Sequence, residues 1–146
     1  MNRKSTRIPG YNYGAANYYF VTICAHEKKC IFGNIHEKSA LGMLADKELS
    51  LLHTHYQDIF VDKYIVMPNH IHAIIAFEKN CKNSLSDVIG LYKSGVSKKY
   101  GKTEKLWQRS FHDHIIRNEQ DYLKIWEYIN SNFQKWNEDC FYVETI

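Results

Sequence analysis

No apolar run in this chain approaches the roughly 20 residues needed to span a bilayer, and the basic start Met1-Asn2-Arg3-Lys4-Ser5-Thr6-Arg7 leads into no signal-peptide core. The sequence therefore predicts no membrane span and a cytoplasmic location. Its four cysteines, Cys24, Cys30, Cys81 and Cys140, include no Cys-x-x-Cys spacing. That argues against a zinc ribbon and for reduced, partly buried thiols rather than disulfide staples. Internal repeats and low-complexity tracts are missing too. No large charge excess is present: a net charge of +3 permits a polyanionic partner without demanding one.

What remains is an ordinary globular composition, 45% hydrophobic and 24% charged, which disfavours disorder. The 146 residues predict one domain, 1–146. Tyr18 to Ala25 is β-branched and aromatic and reads as a strand, with Ile31-Phe32-Gly33 as a short partner strand or loop end. Leu41, Ala45, Leu49, Leu52 and Tyr56 recur at helical spacing and predict a helix from about Ser39 to Tyr56. Two apolar runs follow, Phe60 to Met67 and His70 to Phe77, joined tightly at Pro68-Asn69 as an antiparallel pair. Ser84-x-x-Asp87 resembles a capping box before a second helix to about Tyr100. A further strand is expected within Leu106 to Ile116. Asn118 is a fair N-cap for a last helix whose apolar stripe runs Tyr122, Ile125, Trp126, Ile129, Phe133 and Trp136. This order suits an α+β fold, an antiparallel sheet with helices packed on it, ferredoxin-like or RRM-like.

Three His-x-His pairs occur, His53/His55, His70/His72 and His112/His114. Residues two apart on a helix point about 200° away from each other, so His53 and His55 cannot chelate one ion and read as surface residues. Residues two apart on a strand point the same way. His112 and His114 read most simply as a surface loop or edge pair. His70 and His72, inside a clear strand, are either a metal chelate or hydrogen-bonded histidines on a half-buried sheet. In the last helix Tyr128 and Asn132 are four apart and share a face beside the apolar stripe. Spacing alone favours a boundary tyrosine with a solvated asparagine.

The segments Met67-Pro68-Asn69-His70-Ile71-His72, Trp107 to Arg117 and Tyr128-Ile129-x-x-Asn132-x-x-x-Trp136 together resemble the HUH single-strand DNA transposases, specifically the REP-associated tyrosine transposases. Arg7-Ile8-Pro9-Gly10-Tyr11 and Tyr19-Phe20-Val21-Thr22-Ile23-Cys24 extend the likeness over nearly the whole chain. The resemblance implies an HUH palm in which His70 and His72 bind a divalent metal, Mg²⁺ or Mn²⁺, with Asn132 completing the site. It also implies that Tyr128 attacks DNA to form a 5′-phosphotyrosine intermediate, and that the substrate is single-stranded DNA at repetitive palindromic hairpins. One departure is visible: Phe133 stands where the family usually has proline, which predicts a helix that continues past Asn132. Arg7, Lys93, Lys98, Lys99, Arg109 and Arg117 are candidates for phosphate contacts, and Tyr11, Tyr13 and Tyr18 for base stacking.

The competing reading is a catalytically silent DNA-binding regulator derived from a transposase, against which the retention of His70, His72, Tyr128 and Asn132 argues. The sequence leaves open whether a homodimer forms, and whether Tyr128 then works within one subunit or across two.

Overall fold

A computed structural model describes residues 11–138 and Tyr142. Arg7, Cys140 and most of the Arg7-to-Tyr11 motif lie outside the described residues. The elements follow in the order β1 (Asn17–Cys24), α1 (Ala40–Ser50), β2 (Ile59–Val66), β3 (His70–Phe77), α2 (Leu85–Tyr100), β4 (His112–Ile116) and α3 (Glu119–Asn130). The strands form one antiparallel sheet in the order β2-β3-β1-β4. This is the split β-α-β arrangement of ferredoxin-like folds, with one extra helix at the end.

The pleat sends alternate residues to opposite faces, and the register sorts them into two cores. One face carries Tyr19, Val21, Ile23, Ile71, Ala73, Ile75 and Phe77 and packs against Leu41, Ala45 and Leu49 of α1 and Leu85, Val88, Ile89, Tyr92 and Val96 of α2. Burying each large side chain in this layer is worth roughly 1.5–3 kcal/mol. The other face carries a much smaller cluster, Ile74, Ile116 and Ile129, flanked by Tyr18, Phe20, Ile65, Tyr122 and Ile125. Only α3 covers it. The expected sheet-and-helix fold is present, with its last helix on the face opposite the first two.

Local chemistry sets the helix ends. Ser84 and Asp87 form the reciprocal capping box that their spacing predicts, Ser39 caps α1, and Asn118 Oδ1 accepts from the Asp121 amide at 2.8 Å. The first helix is shorter than its periodicity suggests. Ser50 Oγ and Thr54 Oγ1 donate to the carbonyls of Lys47 and Leu51, and the chain tightens into a 3-10 turn over Leu52–Thr54. That turn leaves His53 and His55 on the surface, as expected. Ile31-Phe32-Gly33 forms no strand; Gly33 makes one isolated bridge to Lys38.

The last helix also stops early. Ser131 caps α3 and its hydroxyl bonds back to the Glu127 carbonyl at 2.9 Å, so Asn132 and Phe133 fall in turns and Trp136 in a separate 3-10 turn. The stripe from Tyr122 to Trp136 is therefore not one continuous helical face. Phe133, expected above to let the helix run on, does not extend it, because Asn130-Ser131-Asn132 already ends it.

The exposed side of α2 gives a stability prediction. A Cβ at Gly90 would meet nothing within 4 Å, and glycine in a helix interior is about 1 kcal/mol poorer than alanine. Gly90→Ala should raise the thermal midpoint followed by circular dichroism by about 3 °C. A fall would show that this surface is not open.

Candidate active site

The turn between β2 and β3 starts the site. Pro68 needs no amide partner there, and the Met67 amide closes the hairpin on the His70 carbonyl at 2.8 Å. The turn is also pinned from outside, by the amides of Phe32 and Ala25 on the carbonyls of Pro68 and Asn69. His70 and His72 leave this anchored end of β3 on the same face, 0% and 1% exposed.

Each imidazole is held by its Nδ1. His70 Nδ1 lies 2.8 Å from Asn69 Oδ1, and Asn69 Nδ2 donates to the Lys28 carbonyl at 3.3 Å. The carbonyl fixes which way the amide points, so His70 Nδ1 is the donor and its Nε2 carries the lone pair. His72 Nδ1 lies 2.9 Å from Thr22 Oγ1, the residue paired with it across β1. A hydroxyl both donates and accepts, so Thr22 accommodates either tautomer of His72. The two Nε2 atoms then meet at 3.0 Å.

Across this pair lies the last helix. Tyr128 Oη is 3.4 Å from His72 Nε2, and its ring packs against His72 and Phe20 with centroids 5.1 and 6.2 Å away. The hydroxyl-bearing residue is 41% exposed while the histidines below are buried, so the group nearest solvent is the phenol. This approach occurs within one chain. Asn132, four residues on, is only 3% exposed, and its Oδ1 is buried without a hydrogen-bond partner among the described residues. It is thus not the solvated asparagine that spacing alone suggests. Trp136 closes the far side, its ring 6.0 Å from that of His70.

Because so little apolar surface holds α3, polar tethers matter. A bulge in β2 shifts the register between Val61 and Lys63, and both Asp62 and Lys63 reach α3. Asp62 accepts from the Tyr122 hydroxyl at 2.5 Å. Lys63 donates to Asn130 Oδ1 at 3.0 Å, with its ammonium 3.9 Å from the Trp126 ring centroid. On the opposite edge His114 Nε2 meets Asp121 Oδ2 at 2.6 Å. The Asp62 bond, helped by burial, pushes the Tyr122 phenol up to about 12. Tyr122 is therefore locked as a donor to Asp62. Asp62→Ala or Lys63→Ala should slow any reaction at Tyr128 about 10- to 100-fold by misplacing its oxygen, with affinity for whatever substrate the site takes little changed. Equal losses in binding and rate would assign the pair to binding instead.

The charged candidates scatter. Lys93 Nζ is committed to the carbonyls of Gln108 and Ser110 at 3.0 and 2.5 Å, and Lys99 to Glu48 at 2.7 Å. Both lie on α2, beneath the sheet from the histidines, and so does exposed Lys98. A basic run on a helix does not say which layer the helix occupies, and this one lies on the layer opposite the histidines. Exposed Arg109 sits beside the histidine end of β1, where the Gln108 amide bonds the Cys24 carbonyl, and Arg117 follows β4. Tyr11 and Tyr13 pack with Tyr19 in the α1–α2 layer, leaving Tyr18 as the aromatic of the three on the histidine face. His112 and His114 lie on that same face, paired with Thr22 and Phe20 on the edge strand. Sequence reasoning assigned no role to Thr22, Phe20, Asn69 or Trp136. An asparagine wedged in a tight hairpin turn directly before a histidine was the one readable signal among them.

No protein-family model matches the chain. An uncharacterized protein of Haemophilus influenzae is 29% identical over 170 aligned positions, covering 98% of this chain and 94% of that protein. Among solved structures, a REP-associated tyrosine transposase bound to a REP hairpin aligns with a TM-score of 0.72 at 18% identity, covering 90% of this chain and 74% of its own. The chain has the REP-associated tyrosine transposase fold. A candidate transposase from Deinococcus radiodurans shares this transposase architecture more loosely, with a TM-score of 0.56, 14% identity, and coverage of 87% of this chain and 97% of that one.

Fitness for a metal can be judged from the donors. Among the described residues no cluster of three or more His, Cys, Asp or Glu forms. The set at hand is two imidazole Nε2 atoms 3.0 Å apart and, nearby in sequence to Tyr128, an orphaned amide oxygen on Asn132. An unsatisfied buried carbonyl is unfavourable by about 1–3 kcal/mol, and imidazoles oriented through their Nδ1 atoms are the usual arrangement of metal-binding histidines. The paired Nε2 atoms fit a divalent ion as two of its donors.

Proposed function

We propose that the protein is a transposase-type DNA strand transferase that cleaves and rejoins single-stranded DNA with Tyr128 as nucleophile. The observation that carries this reading is the approach of Tyr128 Oη to 3.4 Å from His72 Nε2, beside His70. Its oxygen attacks a backbone phosphorus, the bond from phosphorus to the 3′ oxygen breaks, and the products are a 5′-phosphotyrosyl enzyme and a free 3′-hydroxyl. The phenol proton leaves as the leaving oxygen gains one. Reverse attack by a 3′-hydroxyl rejoins strands, so no high-energy cofactor is required.

A phenol with its ordinary value near 10 needs on the order of 4 kcal/mol to ionise at pH 7. His70, His72 and Asn132 would hold Mg²⁺ or Mn²⁺, which supplies positive charge to polarise the phosphate and stabilise the leaving oxygen. Two nitrogen donors favour Mn²⁺ over Mg²⁺ in affinity. Tyr128 and Phe20 position the reacting oxygen above the histidines, and burial of the imidazoles keeps water from the floor of the site. An unpaired strand lying over this face passes exposed Arg109 at the histidine end and Arg117 at the other.

Labelled single-stranded hairpin DNA incubated with the protein and Mn²⁺ should yield a covalent adduct that peptide mapping places on Tyr128. A protein that binds such DNA without forming any adduct would instead be the silent regulator.

A further inference from the structure

Tyr18 and Arg117, which the sequence suggests separately as an aromatic and a cation for DNA, come together in one place. Tyr18 pairs with Ala76 and Ile116 across the sheet, so its ring stands on the histidine face. There it meets the ring of Tyr122 edge-on at 5.8 Å, and both tyrosines are only half-buried. Between them and the start of α3 is an open pocket of about 490 Å³, lined also by Asn17, Ile116, Arg117 and Glu119. That volume lies within the range of small-ligand sites. Arg117 is exposed and makes no ion pair among the described residues.

We infer that this pocket is a nucleotide subsite, taking one unpaired base against Tyr18 with its phosphate on Arg117. The inference rests on the reading of the protein as a single-strand DNA enzyme. Each part of a nucleotide finds its chemistry there: an aromatic ring and the buried Ile116 for the base, a fork of N–H donors on Arg117 for the phosphate, and the Glu119 carboxylate for N–H groups on the base edge. Glu119 also argues against a bare anion, since a carboxylate on the rim repels free phosphate while accepting N–H groups from a base. The pocket lies on the same face as Thr22 and His72, four residues back along β1, or about 13 Å. A stacked strand rises about 3.4 Å per nucleotide, so the subsite is within about four nucleotides of a phosphate at Tyr128.

The test titrates the ¹⁵N-labelled full chain with deoxynucleoside 5′-monophosphates and, separately, with deoxyribose 5-phosphate, followed by amide chemical shifts. Shifts should concentrate at Tyr18 and at 116–119, and a nucleotide should bind about tenfold more tightly than the base-free sugar phosphate. Arg117→Gln should weaken the nucleotide about tenfold. Equal binding of the two ligands, shifts centred elsewhere, or an unaffected Arg117→Gln variant would each overturn the subsite. The adduct assay separates the two readings. An adduct with a silent titration removes only the pocket; a local titration with no adduct on any hairpin removes the catalytic reading and leaves a nucleotide-binding face.

Discussion

If Tyr128 is the nucleophile proposed above, Tyr128→Phe should lower formation of the covalent DNA adduct by at least about a thousandfold, while leaving the affinity for hairpin DNA within about a factor of two. The substitution removes one oxygen. The ring that packs at 6.2 Å from Phe20 and 5.1 Å from His72 stays in place, and buried His72 Nε2, which loses its 3.4 Å contact with the hydroxyl, keeps His70 Nε2 at 3.0 Å. Stability should therefore move by less than about 0.5 kcal/mol. Denaturing gels of labelled hairpin with Mn²⁺ measure the first quantity and fluorescence anisotropy the second. A persistent adduct would require another nucleophile, and Tyr122, the other tyrosine of this helix, is a poor substitute. Its phenol is pushed up to about 12 and its proton is held by Asp62. Loss of binding together with the adduct would mean that Tyr128 holds DNA rather than attacks it.

Much of this arrangement is legible in the sequence because it is local. A two-residue period fixes that His70 and His72 share a face, Pro68-Asn69 marks a tight turn, and Ser84 and Asn118 announce their helices. What is not legible is which side of the sheet each helix takes. All eight residues of β3 are buried, so its pattern shows two covered faces without saying what covers them. That blindness extends to Lys93, Lys98 and Lys99, whose helix packs on the layer opposite the histidines. It also hides Thr22, whose only sequence signal is a small polar residue in an apolar strand; its role arises from pairing with His72, fifty residues away. The end of α3 escapes for a different reason. Apolar spacing continues through Phe133 and Trp136, but side-chain back-bonding by Ser131 competes with the helix and ends it first. The outcome buries Asn132, which a continued helix would have left beside the stripe.

His72→Ala should be nearly as severe as loss of the nucleophile, and comparison with its supporting residues distinguishes a metal site from a structural one. His72 sits between three groups of the proposed centre: His70 Nε2 at 3.0 Å, Tyr128 Oη at 3.4 Å and Thr22 Oγ1 at 2.9 Å. Removing a donor of a small ligand set should depress adduct formation by roughly a thousandfold, and raising Mn²⁺ should not restore it, because the missing donor has no substitute among the described carboxylates. Asn69→Ala and Thr22→Val act differently. They leave both Nε2 atoms but release the imidazoles from their Nδ1 partners, for which a loss of about 10- to 100-fold in metal affinity is expected. Higher Mn²⁺ should then recover much of the adduct. Isothermal titration with Mn²⁺, set beside the adduct assay at several Mn²⁺ concentrations, reads both effects. If Asn69→Ala and His72→Ala lose activity equally and neither responds to Mn²⁺, the buried histidines serve the hairpin's packing, and the site has no metal to orient.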